Sequence, residues 1–219
     1  MEKRPSRILG AAFLFQFITS LFSGIALSGN LFVAHSMEQT LLNIAANPLL
    51  ARGYIFVDML TAMGIVFLGV MLYLALRHEN EKMALTAFGL YILEIALLAV
   101  SKGDAFALIH LSSEYAAHPS EALLAQGASL FHSMEFAGVN LHMLVFCTAT
   151  VLFHLLLLRS KIVPLFFPIW GLVSLSLVST ATIASLFGIT LPFALYLLYV
   201  PFEFVIGLWI LIRGVNYKA

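Results

Sequence analysis

Apolar residues along this 219-residue chain fall in long unbroken runs rather than in strict alternation with polar ones. Six runs, at about residues 8–28, 54–76, 83–101, 136–158, 162–187 and 191–212, contain at most one acidic residue each and no Lys or Arg. Crossing a bilayer takes about 20 residues of helix, so each run is long enough. Leu, Phe and Ile dominate them without a period of two, which argues for helices and against the short alternating strands of a barrel. The pattern predicts an all-α integral membrane protein, a six-transmembrane-helix bundle forming a single domain over 1–219.

The polar positions between the runs set the sidedness. Lys3, Arg4, Arg7, Arg77, Lys82, Arg159, Lys161, Arg213 and Lys218, nine of the 11 basic residues, fall on one side, and only Arg52 and Lys102 on the other. Basic residues near span ends accumulate in the cytoplasm, so both termini are predicted cytoplasmic in a multi-pass plasma-membrane protein. The first span exceeds a signal-peptide core in length and is read as retained. Two long outer segments remain, 29–53 and 102–135. Leu41, Leu42, Ile44 and Ala45 recur at helical spacing in the first, and Pro48 and Pro119 punctuate the two, so both are expected to carry short amphipathic helices over the outer mouth.

Composition narrows the function classes. With 62% hydrophobic and 10% charged residues the chain cannot coat itself with polar groups, and its outer surface must face the lipid bilayer. Formal net charge is zero, so no electrostatic argument for nucleic acid exists. A lone cysteine, Cys147, excludes an intramolecular disulfide.

Ionisable side chains inside the runs carry the chemical signal, because each costs about 2.5–3.5 kcal/mol at a helix centre on insertion scales. Glu94 lies twelve residues inward from Lys82 and Glu203 ten inward from Arg213, which places both roughly 15–18 Å from the cytoplasmic ends. Tyr196 and Tyr199 precede Glu203 by seven and four residues, on the same face of a continuous helix. Pro201 frees the Leu197 carbonyl one turn earlier. Glu94, Glu203, Tyr196 and Tyr199 are therefore expected to line a polar intramembrane pocket for a small molecule, ion or proton.

A second constellation lies near the outer ends: Asp58, Lys102, Asp104, His132, Glu135, Asn140 and His142. His132, Glu135 and His142 share one helical stripe, and imidazole and carboxylate are the usual ligands of divalent ions. With Asp58 or His110 they form a candidate metal site, although no HExxH or paired CxxC pattern accompanies them. No other cofactor is indicated. His35, His78, His118 and His154 are expected at solvated or interfacial positions. The hydroxyl-rich stretch from Ser174 to Ser185 is expected to serve close helix packing.

Three stretches occur together in order: "ENEKMALTAFGLYILEIALL" at 79–98, "LLLLRSKIVPLFFPIWGLV" at 155–173 and "PFEFVIGLWILIRG" at 201–214. This set, with Arg159, Lys161, Pro164, Trp170, Gly171, Glu203, Trp209 and Gly214 as its most specific members, resembles the bacterial six-span membrane family known as domain of unknown function 4386. The family usually has an arginine two residues before the span-3 glutamate, where this chain has Ile92. The resemblance implies six spans and a bacterial source and carries no activity. Three functional readings follow from the residues: a binding or transport protein centred on Glu94 and Glu203, a metal-dependent membrane enzyme acting on a lipid-like substrate, and a non-catalytic accessory subunit. Oligomeric state is open.

Overall fold

A computed structural model describes residues 4–119 and 121–215; Lys3 and Lys218, both counted above for sidedness, lie outside them. Among the described residues every regular element is helical. They are α1 (Arg4–Phe22), a π-helical stretch (Ser23–Ser28), α2 (Gly29–Leu31), α3 (Met37–Ala46), α4 (Pro48–Leu76), α5 (Glu81–Ala117), α6 (Ala122–Ser160), α7 (Phe166–Leu186), α8 (Ala194–Leu197) and α9 (Tyr199–Arg213). Six stretches are long and apolar enough to cross a membrane, in the order the sequence pattern predicts.

The spans differ in length from expectation. The segment expected to bear separate short helices over 102–135 continues the spanning helices instead: α5 runs to Ala117 and α6 starts at Ala122, leaving Pro119 in the brief connection. Hydropathy falls in this segment because of Ser, His and Glu, but its many Ala and Leu residues favour helix whether or not lipid surrounds them. Pro48 likewise opens α4 at its first position, where the missing N–H removes no helical hydrogen bond.

Element ends follow local chemistry. Ser36 caps α3 by accepting from the Gln39 N–H at 3.3 Å, and Asn80 caps α5 by accepting from Met83 N–H at 3.1 Å. Gly188, at φ +77°, terminates α7 with the Ile189 N–H bonded to the Ala184 carbonyl at 2.9 Å and Gly188 N–H to Ser185 at 3.0 Å, a Schellman arrangement. Gly214, at φ +73°, ends α9 directly after Arg213.

The helices distribute over two compact units. The first contains the described parts of 1–17, 63–96 and 140–219, the second 18–62 and 97–139. In the first, Leu9, Phe13, Leu72, Phe153, Leu156, Phe202 and Ile206 form one continuous core. Backbones approach closely there at small residues: a Cβ on Gly10 would meet the Leu211 backbone, and one on Gly207 would lie 3.0 Å from the Phe13 Cβ. The second unit has two smaller cores, one around Leu41, Leu108 and Tyr115 and another around Leu31, Ile44 and Ala51. A Cβ on Gly138 would come within 2.6 Å of the Ser101 Cβ in this unit. Large apolar side chains remain exposed on both, including Phe67, Val173 and Leu208 on the first and Phe56, Val100 and Phe136 on the second, as a lipid-facing surface requires.

His154, expected at the interface, is fully enclosed in the first unit. Its Nδ1 meets the Thr150 carbonyl at 2.8 Å, so that nitrogen carries the proton, and its ring packs on Phe202. The helix turn that bears Gly171 rests on the same ring. A methyl group at Gly171 would collide with the imidazole, which the Thr150 bond and the core prevent from moving aside. Gly171→Ala is therefore expected to destabilise the protein by about 1–3 kcal/mol, as overpacked cores do. Gly89→Ala, where the added Cβ meets no atom within 4 Å, should be neutral or stabilising by up to about 1 kcal/mol from helix propensity alone. Thermal unfolding in detergent separates the two; equal effects would refute the packing argument.

Candidate functional site

Glu203 stands in the middle of α9 and is 7% exposed, and Glu94 stands in α5 and is 1% exposed; both belong to the first unit. The Tyr199 hydroxyl, one helical turn before Glu203, donates to Glu203 Oε1 at 3.0 Å. Gln16, the lone amide within the apolar run of α1, also hydrogen-bonds the Glu203 carboxyl. Glu94 Oε1 lies 3.7 Å from Nδ1 of His142 on α6. Its Oε2 is buried with no hydrogen-bond partner among the described residues.

The two carboxyls lie within electrostatic range of each other. Tyr91, three residues before Glu94, feels both, and its hydroxyl pairs with Thr150 Oγ1 at 3.1 Å. No lysine or arginine pairs with either glutamate among the described residues. The resulting site draws polar groups from four helices: Gln16 on α1, Glu94 with Tyr91 on α5, His142 with Thr150 on α6, and Glu203 with Tyr199 on α9.

Tyr196, expected on the same face as Glu203, makes no hydrogen bond to either carboxyl among the described residues; Glu203 is bonded by Tyr199 and Gln16. The α8 and α9 helices meet at Leu198, whose backbone stays helical, and the Tyr196 ring stacks on Phe193 at 5.9 Å. The carbonyl engaged at this junction is that of Leu198 rather than Leu197. It accepts from Trp170 Nε1 at 3.2 Å and from Ser174 Oγ at 3.3 Å. Two other α7 hydroxyls turn back on their own helix, Ser176 donating to the Val173 carbonyl and Thr180 to that of Ser176, while Ser179 hydrogen-bonds Cys147 on α6.

The residues considered as metal ligands separate. Asp58 and Glu135 converge in the second unit, and Lys102, only 2% exposed, occupies the position between them. Its ammonium lies 2.8 Å from Asp58 Oδ2 and 2.9 Å from Glu135 Oε1, and it donates a third hydrogen bond to the Tyr54 hydroxyl. Tyr54 in turn donates to Glu135 Oε1 at 2.8 Å, and Ser23, the first residue of the π-helical stretch, donates to Asp58 Oδ1. The lysine thus supplies the positive charge that the acid pair suggested in a metal. His132 stacks on Phe32 at 5.2 Å and lines, with His35, Met37 and Thr40, a cavity of about 560 Å³. His142 belongs to the first unit, beside Glu94. Among the described residues no group of three His, Cys, Asp or Glu side chains is placed to hold a metal ion.

Sequence reasoning missed Gln16, Tyr91, Thr150, Tyr54 and Ser23. Gln16 had a signal, an amide isolated in an uncharged run; the hydroxyls had none, because their partners come from distant helices.

Residues 8–214 match the model of a family described as Domain of unknown function (DUF4386). No curated protein and no solved structure matches the chain.

The Lys102 cluster yields a stability prediction. Replacing the ammonium by an apolar group leaves two buried carboxylates facing each other, so Lys102→Met is expected to cost about 3–5 kcal/mol. Tyr54→Phe, which removes one hydroxyl, should cost about 1 kcal/mol. Adding Asp58→Asn and Glu135→Gln to Lys102→Met should recover part of the loss. Denaturant unfolding in detergent measures all three, and a triple variant no better than Lys102→Met contradicts the charge argument.

Proposed function

The chain belongs to the DUF4386 family, and we propose that this multi-pass membrane protein binds a proton or small monovalent cation at its Glu94–Glu203 pair. The observation that carries this reading is the charge balance of the first unit: two buried carboxyls within electrostatic range, facing one imidazole and no lysine or arginine among the described residues. Bulk counter-ions do not reach such a place, and an uncompensated charge there is costly. Positive charge delivered as a proton or a small cation offsets it. The unpartnered Glu94 Oε2 is the atom to which that charge attaches.

Each neighbour has a part in this scheme. Tyr199 and Gln16 hold the Glu203 carboxyl in one orientation, which leaves Glu94 as the more adaptable of the two. His142, 3.7 Å from Glu94, is placed to exchange a proton with it after a small rotation. Reversible loading of an intramembrane acid is the step on which proton-coupled carriers and membrane sensors are built.

Infrared difference spectroscopy on the purified protein tests the proposal. Changing pH, or adding Na⁺ or K⁺, should shift the carbonyl band of a neutral carboxylic acid in the wild type. Glu94→Gln should abolish the shift and Glu203→Gln should displace it, with stability altered by no more than about 1 kcal/mol. A wild-type spectrum insensitive to both, or variants that fail to fold while the spectrum stays silent, would leave the glutamates a purely structural role.

A further inference from the structure

Unit two contains only two basic residues, Arg52 and Lys102. Their surroundings are opposite. Lys102 is enclosed and consumed by Asp58, Glu135 and Tyr54, whereas Arg52, in the first two turns of α4, is exposed and enters no ion pair among the described residues. It lines a cavity of about 450 Å³ together with Pro48, Phe106, Ile109, His110 and Ser113.

This lining has a definite chemistry. Arg52 and His110 are its two nitrogen bases, and no acidic residue belongs to it; Glu38, Asp104, Glu114 and Glu121 all stand outside. The Ser113 hydroxyl donates to the His110 carbonyl at 2.7 Å, which leaves its lone pairs free and ties it to the α5 turn that presents His110. The rest of the wall is hydrocarbon, and Phe106 is largely exposed along it. A planar guanidinium with no donor committed among the described residues, beside an imidazole, can bind two oxygens of a tetrahedral phosphate as a fork. An apolar wall continuous with that array matches an acyl chain rather than a freely soluble ion.

We propose that the cleft between α5 and the start of α4 binds the phosphate of an anionic phospholipid, with Arg52 as the principal contact, His110 as the second, and the Phe106–Ile109 wall against the upper acyl chain. The requirement for both parts separates this site from a simple basic patch. A soluble phosphate ester satisfies Arg52 but leaves the apolar wall uncovered, and a zwitterionic lipid brings its own cation to the phosphate.

Native mass spectrometry of the full chain, released from neutral detergent in the presence of phosphatidylglycerol or phosphatidylcholine, provides the test. Wild-type protein should retain phosphatidylglycerol preferentially. Arg52→Gln should lower that retention about tenfold, the loss of one charge-assisted contact, with an unchanged unfolding temperature. Arg52→Lys, which keeps the charge but not the fork, should fall between, and His110→Gln should weaken retention less than Arg52→Gln. Equal retention of the two lipids by the wild type overturns the proposal whatever the variants do, as does retention that survives Arg52→Gln. Displacement of the lipid by equimolar glycerol 3-phosphate would identify a soluble-phosphate site and overturn the assignment to lipid.

Discussion

An ammonium group that is 2% exposed within an apolar unit exists only because the fold brings oxygen atoms to it from several helices. Lys102 has three N–H donors, and three acceptors meet them: Asp58, Glu135 and the Tyr54 hydroxyl. Tyr54 and Asp58 come from α4 and Glu135 from α6, so one side chain on α5 fixes the approach of both neighbours. The π-helical stretch joins the same network through Ser23, whose hydroxyl reaches Asp58. Extra residues in a helical turn rotate the following side chains, and π-helical geometry is often found where a side chain must be aimed at a particular partner. Non-directional apolar packing could not specify this arrangement; the hydrogen bonds of a buried charge can.

Helix number and order were legible in the sequence because lipid imposes a simple rule: a backbone surrounded by hydrocarbon must bond to itself, and the side chains around it must be apolar. Uncharged runs therefore mark helices almost one for one. The same rule conceals where a helix ends outside the apolar zone, and for that reason α5 and α6 extend through the segment 102–135 that hydropathy alone separates from them. Helix propensity, read from the Ala and Leu of "AFALIHLSSEYAA", was the better guide there.

The candidate sites were legible in kind and less so in partnership. Glu94 and Glu203 stood out by their cost in hydrocarbon, and they do lie in one unit within range of each other. Periodicity places side chains on a face without assigning their partners: Tyr199, four residues from Glu203, bonds it, whereas the Tyr196 ring, seven away, stacks on Phe193. His142 was visible as an ionisable residue, but its assignment to a stripe with His132 and Glu135 assumed that neighbours on one helix share a destination. Along a helix of 39 residues they need not, and Glu135 serves Lys102 while His142 serves Glu94. Lys102 was counted for sidedness, although a lysine between two acids is equally a sign of internal neutralisation.

Comparison of the two clusters separates structure from activity on physical grounds. Around Lys102 the three donors of the cation are all used, and its acids are held by Tyr54 and Ser23. Such an arrangement is well suited to holding helices in register and poorly suited to exchange. At Glu94 and Glu203 the position is reversed. Glu203 is held by Tyr199 and Gln16, yet among the described residues Glu94 retains an oxygen without a partner, and the His142 imidazole lies 3.7 Å from its other oxygen, beyond a normal hydrogen bond. Folds seldom leave a buried carboxylate oxygen unsatisfied, because each such atom carries its full desolvation cost. An incomplete acid that persists at that cost, within range of a second buried acid, is the place where an exchangeable charge belongs.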